Sequence, residues 1–288
     1  MTSREKLMPE SPLTAEEIEQ LRRAIRDELD MRPPTIALVG VSGVGKSSTI
    51  NTLFKTQLET SDTVACTKEF WDLDVELSFT SGQVKNQSVK LRVIDAPGLG
   101  EDISRDPGYI KMYLDNLDRC DVIVWILAAR NRAIALDQAY LQRLSSFSSK
   151  MVFGLNQVDL IEPLNWNTLS NLPSNEQEHN IQEIEKDRLR KIQSVIERDD
   201  IKLIPYSAKA RYHLPHLFTA IVTSCEPERA WVFESLKNFQ YDDWLTDEAR
   251  DEAHKELKKR QKEEKKQQEG SFIASIKRKL SGGEGGKT

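Results

Sequence analysis

The sequence predicts an α/β fold: a mostly parallel six-stranded sheet with one antiparallel strand pair, helices on both faces, and helical extensions at both ends. Three observations carry that expectation. Short strand-like runs at residues 35–40, 122–127, 151–156 and 202–207 are rich in apolar side chains, as strands buried on both faces are. They alternate with helical patterns near residues 46–54, 108–119, 133–147, 177–199 and 212–224, and such alternation belongs to parallel sheets covered on both faces. Two extended runs, 69–79 and 89–95, flank the turn-rich stretch TSGQVKNQS and predict the antiparallel pair.

Taken in order, residues 11–31 predict an amphipathic helix. Thr14 is its expected N-cap, with Glu17 as the capping-box partner. Ile18, Leu21, Ile25 and Leu29 recur at helical spacing, so one stripe wants a partner surface. Arg32-Pro33-Pro34 ends that helix and introduces the first strand. Beyond residue 241 the composition changes. Residues 247–269 mix charges and nearly lack large apolar side chains, which predicts a solvated spacer. Phe272, Ile273, Ile276 and Leu280 then share a helical face beside Lys277, Arg278 and Lys279. That pattern suits contact with an anionic membrane, docking on protein, or neither. The expected organisation is an N-terminal helix (1–32), one α/β domain (33–240) and a charged tail with a short basic amphipathic terminus (241–288).

Hydrophobic content of 38% and charged content of 30% suit a soluble globular protein carrying a polar segment. The net charge of −5 indicates no general nucleic-acid footprint. No run of about 18 uncharged apolar residues predicts a membrane span. Cys66, Cys120 and Cys225 lack paired spacing and are expected to be reduced, in keeping with a cytoplasmic location that leaves peripheral membrane contact open. His213 and His216 stand at i,i+3 without a third ligand, so no metal site is expected there.

Chemistry concentrates just after the strands. Gly40-Val41-Ser42-Gly43-Val44-Gly45-Lys46-Ser47 matches GxxxxGK[ST] between a strand and a helix, with Ser48 next. Glycines let the backbone turn its N–H groups toward a β-phosphate, and the helix N-terminus favours the anion. Lys46 can reach β- and γ-phosphate oxygens, and the Ser47 hydroxyl can ligate Mg²⁺. Asp95-Ala96-Pro97-Gly98 follows another strand, Asn156-Gln157-Val158-Asp159 a third, and Ser207-Ala208-Lys209 a fourth. Asp159 can accept from both amino-edge donors of guanine, a pair that adenine does not offer.

With these motifs in this order, residues 35–225 resemble the TRAFAC-class P-loop GTPases, with an Era-like G domain and a septin-like P-loop and switch II. The resemblance implies that Asp95 supports Mg²⁺ and that the Gly98 N–H meets the γ-phosphate. It implies that Asn156 braces the base loop, that the Ser207–Ala208 backbone meets the guanine oxygen, and that Lys209 covers the base. Gln157 stands where the family has lysine, which would cover the base less fully. Thr67, with Thr63 as the alternative, takes the switch I position that closes over Mg²⁺ and the γ-phosphate, so Lys46 and Thr67 are the expected catalytic groups. Ser47, Thr67 and Asp95 are the expected metal set.

Leu99 occupies the position where Ras-like enzymes orient water with glutamine. Gly43 stands where potassium-using relatives carry asparagine. Arg105, Arg130 and Arg132 are the arginine-finger candidates, each equally readable as a surface charge. The expected activity is slow hydrolysis of GTP to GDP, accelerated by a protein effector or a homodimer through the switch regions. The alternative is a nucleotide-dependent assembly or scaffold protein with little intrinsic hydrolysis.

Overall fold

Thr14 opens the first helix, α1 (Ala15–Met31), through a reciprocal capping box. Its Oγ1 accepts from the Glu17 N–H at 3.2 Å, while Glu17 Oε2 accepts from the Thr14 N–H at 2.8 Å. The double proline then releases the chain into β1 (Thr35–Val39), buried along its whole length. This computed structural model describes residues 14–58, 69–81, 84–100, 106–131 and 134–225, together with 229 and 233.

After β1 come α2 (Lys46–Phe54), β2 (Trp71–Ser81), β3 (Val84–Asp95), α3 (Asp106–Leu117) and β4 (Val122–Ala128). Next are α4 (Ala135–Arg143), a 3₁₀ turn (Ser145–Lys150), β5 (Met151–Asn156) and a two-stranded ribbon of β6 (Trp166–Asn167) and β7 (Leu172–Pro173). Then follow α5 (Asn175–Ile196), β8 (Leu203–Pro205) and α6 (Leu214–Thr223). The main sheet runs β2-β3-β1-β4-β5-β8, parallel throughout except for the antiparallel β2–β3 pair. This is the predicted α/β architecture.

Two cores explain why the central strands are apolar on both sides. On one face Tyr113, Leu117, Tyr140, Ile181 and Ile192 from α3, α4 and α5 pack under the sheet. On the other, Ile50, Leu53, Leu217 and Ile221 from α2 and α6 do the same, joined by Phe233.

Three details depart from the sequence reading. Most of the stretch expected as a turn between β2 and β3 is ladder, with Ser78 opposite Ser88, Phe79 opposite Gln87 and, past a bulge, Ser81 opposite Val84. Ladder bonds are backbone bonds, so polar residues continue the strands where β1, paired only with Arg92 to Asp95 of β3, no longer covers them. The fourth helix gives way to a 3₁₀ turn at the serine-rich Ser145–Lys150, serine being a weak helix former that competes for backbone bonds. The β6–β7 ribbon has no forerunner in the sequence, because two-residue strands leave no period to read. Among the described residues no helix is long and apolar enough to cross a membrane.

Candidate nucleotide site

The loops after β1, β3, β5 and β8 meet at the carboxyl edge of the parallel sheet, the usual ligand edge of such folds. The loop after β1 lies close to its neighbours. A Cβ on Gly40 would come within 2.4 Å of the Ile126 carbonyl, and one on Gly45 within 2.4 Å of Asn156 Nδ2. Gly45 also has φ +89, so only glycine turns the chain into α2 here without strain. The Lys46 ammonium is buried and donates to the carbonyls of Gly40 at 3.1 Å and Val41 at 3.4 Å.

Asp95, at the end of β3, is 2% exposed, and its Oδ2 accepts from Ser47 Oγ at 2.8 Å. A hydroxyl and a carboxylate brought together this way are hard oxygen donors. They fit Mg²⁺, which binds protein through one or two such groups and fills its shell with phosphate and water oxygens. Past Asp95 the chain stays against the loop after β1. The Leu99 N–H donates to the Gly40 carbonyl at 3.2 Å, Val41 and Leu99 form a parallel bridge, and the Leu99 side chain is 2% exposed. Gly98 is buried beside it.

Asn156 joins three loops. Its Nδ2 donates to the Val44 carbonyl at 2.9 Å, and its Oδ1 accepts from the Ala208 N–H at 3.0 Å. Gln157, at φ 66, donates from Nε2 to the Gly43 carbonyl at 3.0 Å. Its side chain therefore reaches the loop after β1 despite the missing lysine charge. Asp159 lies half-buried in a short 3₁₀ turn (Val158–Leu160), which Gln177 of α5 holds from behind by donating to the Asp159 and Ile161 carbonyls at 3.4 and 2.7 Å. Ser207 is buried and caps its own turn, with Oγ accepting from the Ala210 N–H at 2.9 Å, while Lys209 stays exposed. Ser42 and Gly43 lie exposed, Val44 is buried, and Ser48 is half-buried in the first turn of α2.

Thr67 and Thr63, and with them Arg105 and Arg132, lie outside the described residues. So do Cys66 and the tail beyond residue 233. Arg130 is exposed. The His213 and His216 rings stand 4.5 Å apart, and among the described residues no group of three potential metal ligands forms.

Sequence reasoning missed one feature of this edge. Thr49 Oγ1 and Tyr206 Oη, both fully buried, lie 2.8 Å apart, and Thr49 Oγ1 also donates to the Gly45 carbonyl at 2.7 Å. A hydroxyl has one proton, so Tyr206 is the donor to Thr49. Burial pushes the Tyr206 phenol up from its ordinary range, which keeps it protonated for that bond. Neither residue type carries a motif, and Tyr206 reads from the sequence only as the end of a strand.

One buried carboxylate sits behind the site. Asp137 of α4 is 2% exposed and accepts from Trp125 Nε1 at 3.0 Å. Burial raises it to about 6, against the pull of the Trp125 N–H and the positive charges of Arg188 and Lys46.

Residues 35–157 match the protein family described as 50S ribosome-binding GTPase. Two Escherichia coli proteins, each named only as an uncharacterized protein, are similar. YfjP is 31% identical over 158 residues, covering 54% of this chain and 51% of that protein. YkfA is 34% identical over 140 residues, covering 48% and 46%. The chain thus spans about half the length of these curated relatives. Among solved structures, an Era variant of Aquifex aeolicus bound to GDP.AlF4- aligns with a TM-score of 0.50 at 18% identity, over 67% of this chain and 56% of that one. That is a likeness of fold.

Proposed function

We propose, taking residues 35–157 as a G domain of the TRAFAC class of P-loop GTPases, that this protein binds GTP and GDP with Mg²⁺ and hydrolyses GTP slowly as a molecular switch. The observation that carries this reading is the Asn156 clamp. One side chain bonds the phosphate loop at Val44 and the base loop at Ala208, so triphosphate and purine would be held by one rigid unit.

Each residue then has a task. The backbone N–H groups of residues 43–47 hold the β-phosphate, and Lys46 exchanges its carbonyl partners for β- and γ-phosphate oxygens. Asp159 accepts from guanine N1–H and the 2-amino group. Ser47 and Asp95 would hold Mg²⁺, which when bound neutralises charge developing on the phosphates. Thr67 would close over the γ-phosphate from switch I.

The slow rate follows from Leu99. Its side chain has no hydrogen-bonding group and packs away from solvent, so it cannot orient the attacking water. Turnover of the isolated protein is therefore on the order of 10⁻⁴ to 10⁻² per second, and a protein partner or a second copy must supply the missing group. Phosphate release from Mg²⁺–GTP under single turnover tests this. A monomer that turns over several times per second, without partner or potassium, contradicts it.

A second reading, nucleotide-dependent assembly, draws support from Leu164 and Leu169. They are 70% and 72% exposed on the segment that follows the base loop. Mass by light scattering with GDP and with a non-hydrolysable GTP analogue separates the readings, since only assembly requires a mass increase with the analogue.

A further inference from the structure

Among the described side chains of the apolar stripe of α1, Leu29 is covered while Leu21 and Ile25 are open. Leu29, like Cys225, packs against the core cluster that contains Phe233, whereas Leu21 is 52% and Ile25 38% exposed. Exposed large side chains in line on one helix face mark an interaction surface when nothing else explains the line.

Two observations select its occupant. The first is where the chain goes. Arg229 holds the last turn of α1, pairing with Glu28 Oε1 at 3.3 Å and donating to the Arg32 carbonyl at 2.9 Å, and Phe233 is fully buried four residues on. The chain therefore leaves the described region beside α1. The second is charge. α1 carries six carboxylates against three guanidinium groups, and two exposed ones flank the stripe, Glu17 four residues before Leu21 and Glu28 three after Ile25. Residues 272–280 carry Lys277, Arg278 and Lys279 and no carboxylate.

We propose that residues 272–280 dock as a helix on the Leu21–Ile25 stripe of α1, within the same chain. Phe272, Ile273 and Ile276 supply the apolar contact, and the three cations meet the acidic flank of α1. The lengths agree. A nine-residue helix is about 13 Å long, and Leu21 to Leu29 spans about 12 Å of α1 at 1.5 Å per residue. Residues 234–271 exceed the reach needed, and tethering places the segment at an effective concentration in the millimolar range, so a modest intrinsic affinity suffices. An anionic membrane would bind the same basic segment. It would gain nothing from α1, whose excess of carboxylates it repels.

Disulfide trapping in the full chain tests the docking, with Cys66 and Cys225 replaced by serine. Cys120 can remain, because burial holds its thiol up at about 12 and keeps it inert. The pair Leu21→Cys with Ile276→Cys is predicted to close an intrachain disulfide at least tenfold faster than Arg23→Cys with Ile276→Cys, since Arg23 points to solvent. Each singly substituted variant must still unfold cooperatively in urea, which shows that it folds. Deuterium uptake by residues 18–28 is predicted to rise in Ile276→Asp. Equal closure rates for the two pairs overturn the proposal, as does trapping of covalent dimers in place of the intrachain bond. Unchanged uptake in Ile276→Asp overturns it too, as does sedimentation of wild type with phosphatidylserine vesicles that leaves α1 uptake unaltered.

Discussion

Asp137 shows how one buried carboxylate ties the fold to pH. With burial holding it near 6, the native state keeps a proton that the unfolded chain releases near 3.8. Between about pH 4 and 6 the folded state thus binds more protons, and each rise in pH weakens the fold, by at most about 3 kcal/mol across the window. His213 has the opposite sign. Burial and the nearby His216 lower it to about 4 from 6.5, so the unfolded chain takes up the proton first and stability rises with pH over that range. Asp137→Asn keeps an acceptor for Trp125 Nε1 and removes the charge. Urea unfolding should show the variant gaining on wild type between pH 4.5 and 7, and an unchanged difference would refute the assignment. Gly45→Ala belongs at this scale as well. Its Cβ meets Asn156 Nδ2 at a positive φ, so it should weaken GDP binding at least tenfold by fluorescence titration. Much of this was legible in the sequence, because Gly45, Lys46 and Asp95 sit in spaced motifs. Asp137 and Tyr206 were not, since only tertiary packing gives them their partners.

Between elements, the decisive bond is the one from Tyr206 to Thr49, which fastens the strand-end loop after β8 to the first turn of α2. Beside it, Thr52 Oγ1 donates to the Ser48 carbonyl at 2.8 Å and lies 3.3 Å from the Ala208 carbonyl. Tyr206→Phe deletes one buried hydroxyl while Thr49 keeps its bond to Gly45, so the stability cost should be about 1 kcal/mol. The looser α2 N-terminus should also release a fluorescent GDP analogue several-fold faster in stopped flow. A variant as stable and as slow to release as wild type would show the bond to be incidental. Period and turn residues did reveal the order and type of the main elements. They found the hairpin but ended its strands too early, because serine, asparagine and glutamine in residues 80–88 signal turns by composition while backbone pairing with β2 decides their state.

Across the whole molecule, one ion pair joins both ends of the described chain to the base of the sheet. Arg229 Nε pairs with Asp121 Oδ1 at 3.0 Å, and Asp121 Oδ2 accepts from the Thr35 N–H at 2.9 Å at the start of β1. Asp121 is nearly inaccessible, so Arg229→Ala leaves a buried charge and should cost about 3 kcal/mol in urea unfolding. The exposed pair of Arg119 with Asp72 is the control, and Arg119→Ala should cost less than about 1 kcal/mol. Equal costs would mean that Arg229 is only a surface contact. No motif announced this tie, since Arg229 and Asp121 are 108 positions apart.

The central claim is that Asp159 and the loop at residues 40–47 together select a guanine nucleotide. Guanine offers two adjacent donors to a carboxylate, and adenine offers none there. Titration calorimetry of the nucleotide-free protein with Mg²⁺–GDP and Mg²⁺–ADP reads this directly. GDP should bind at least about 1,000-fold more tightly than ADP, and Asp159→Asn should abolish most of that ratio. Equal affinities for the two nucleotides, or binding of neither, would contradict the account.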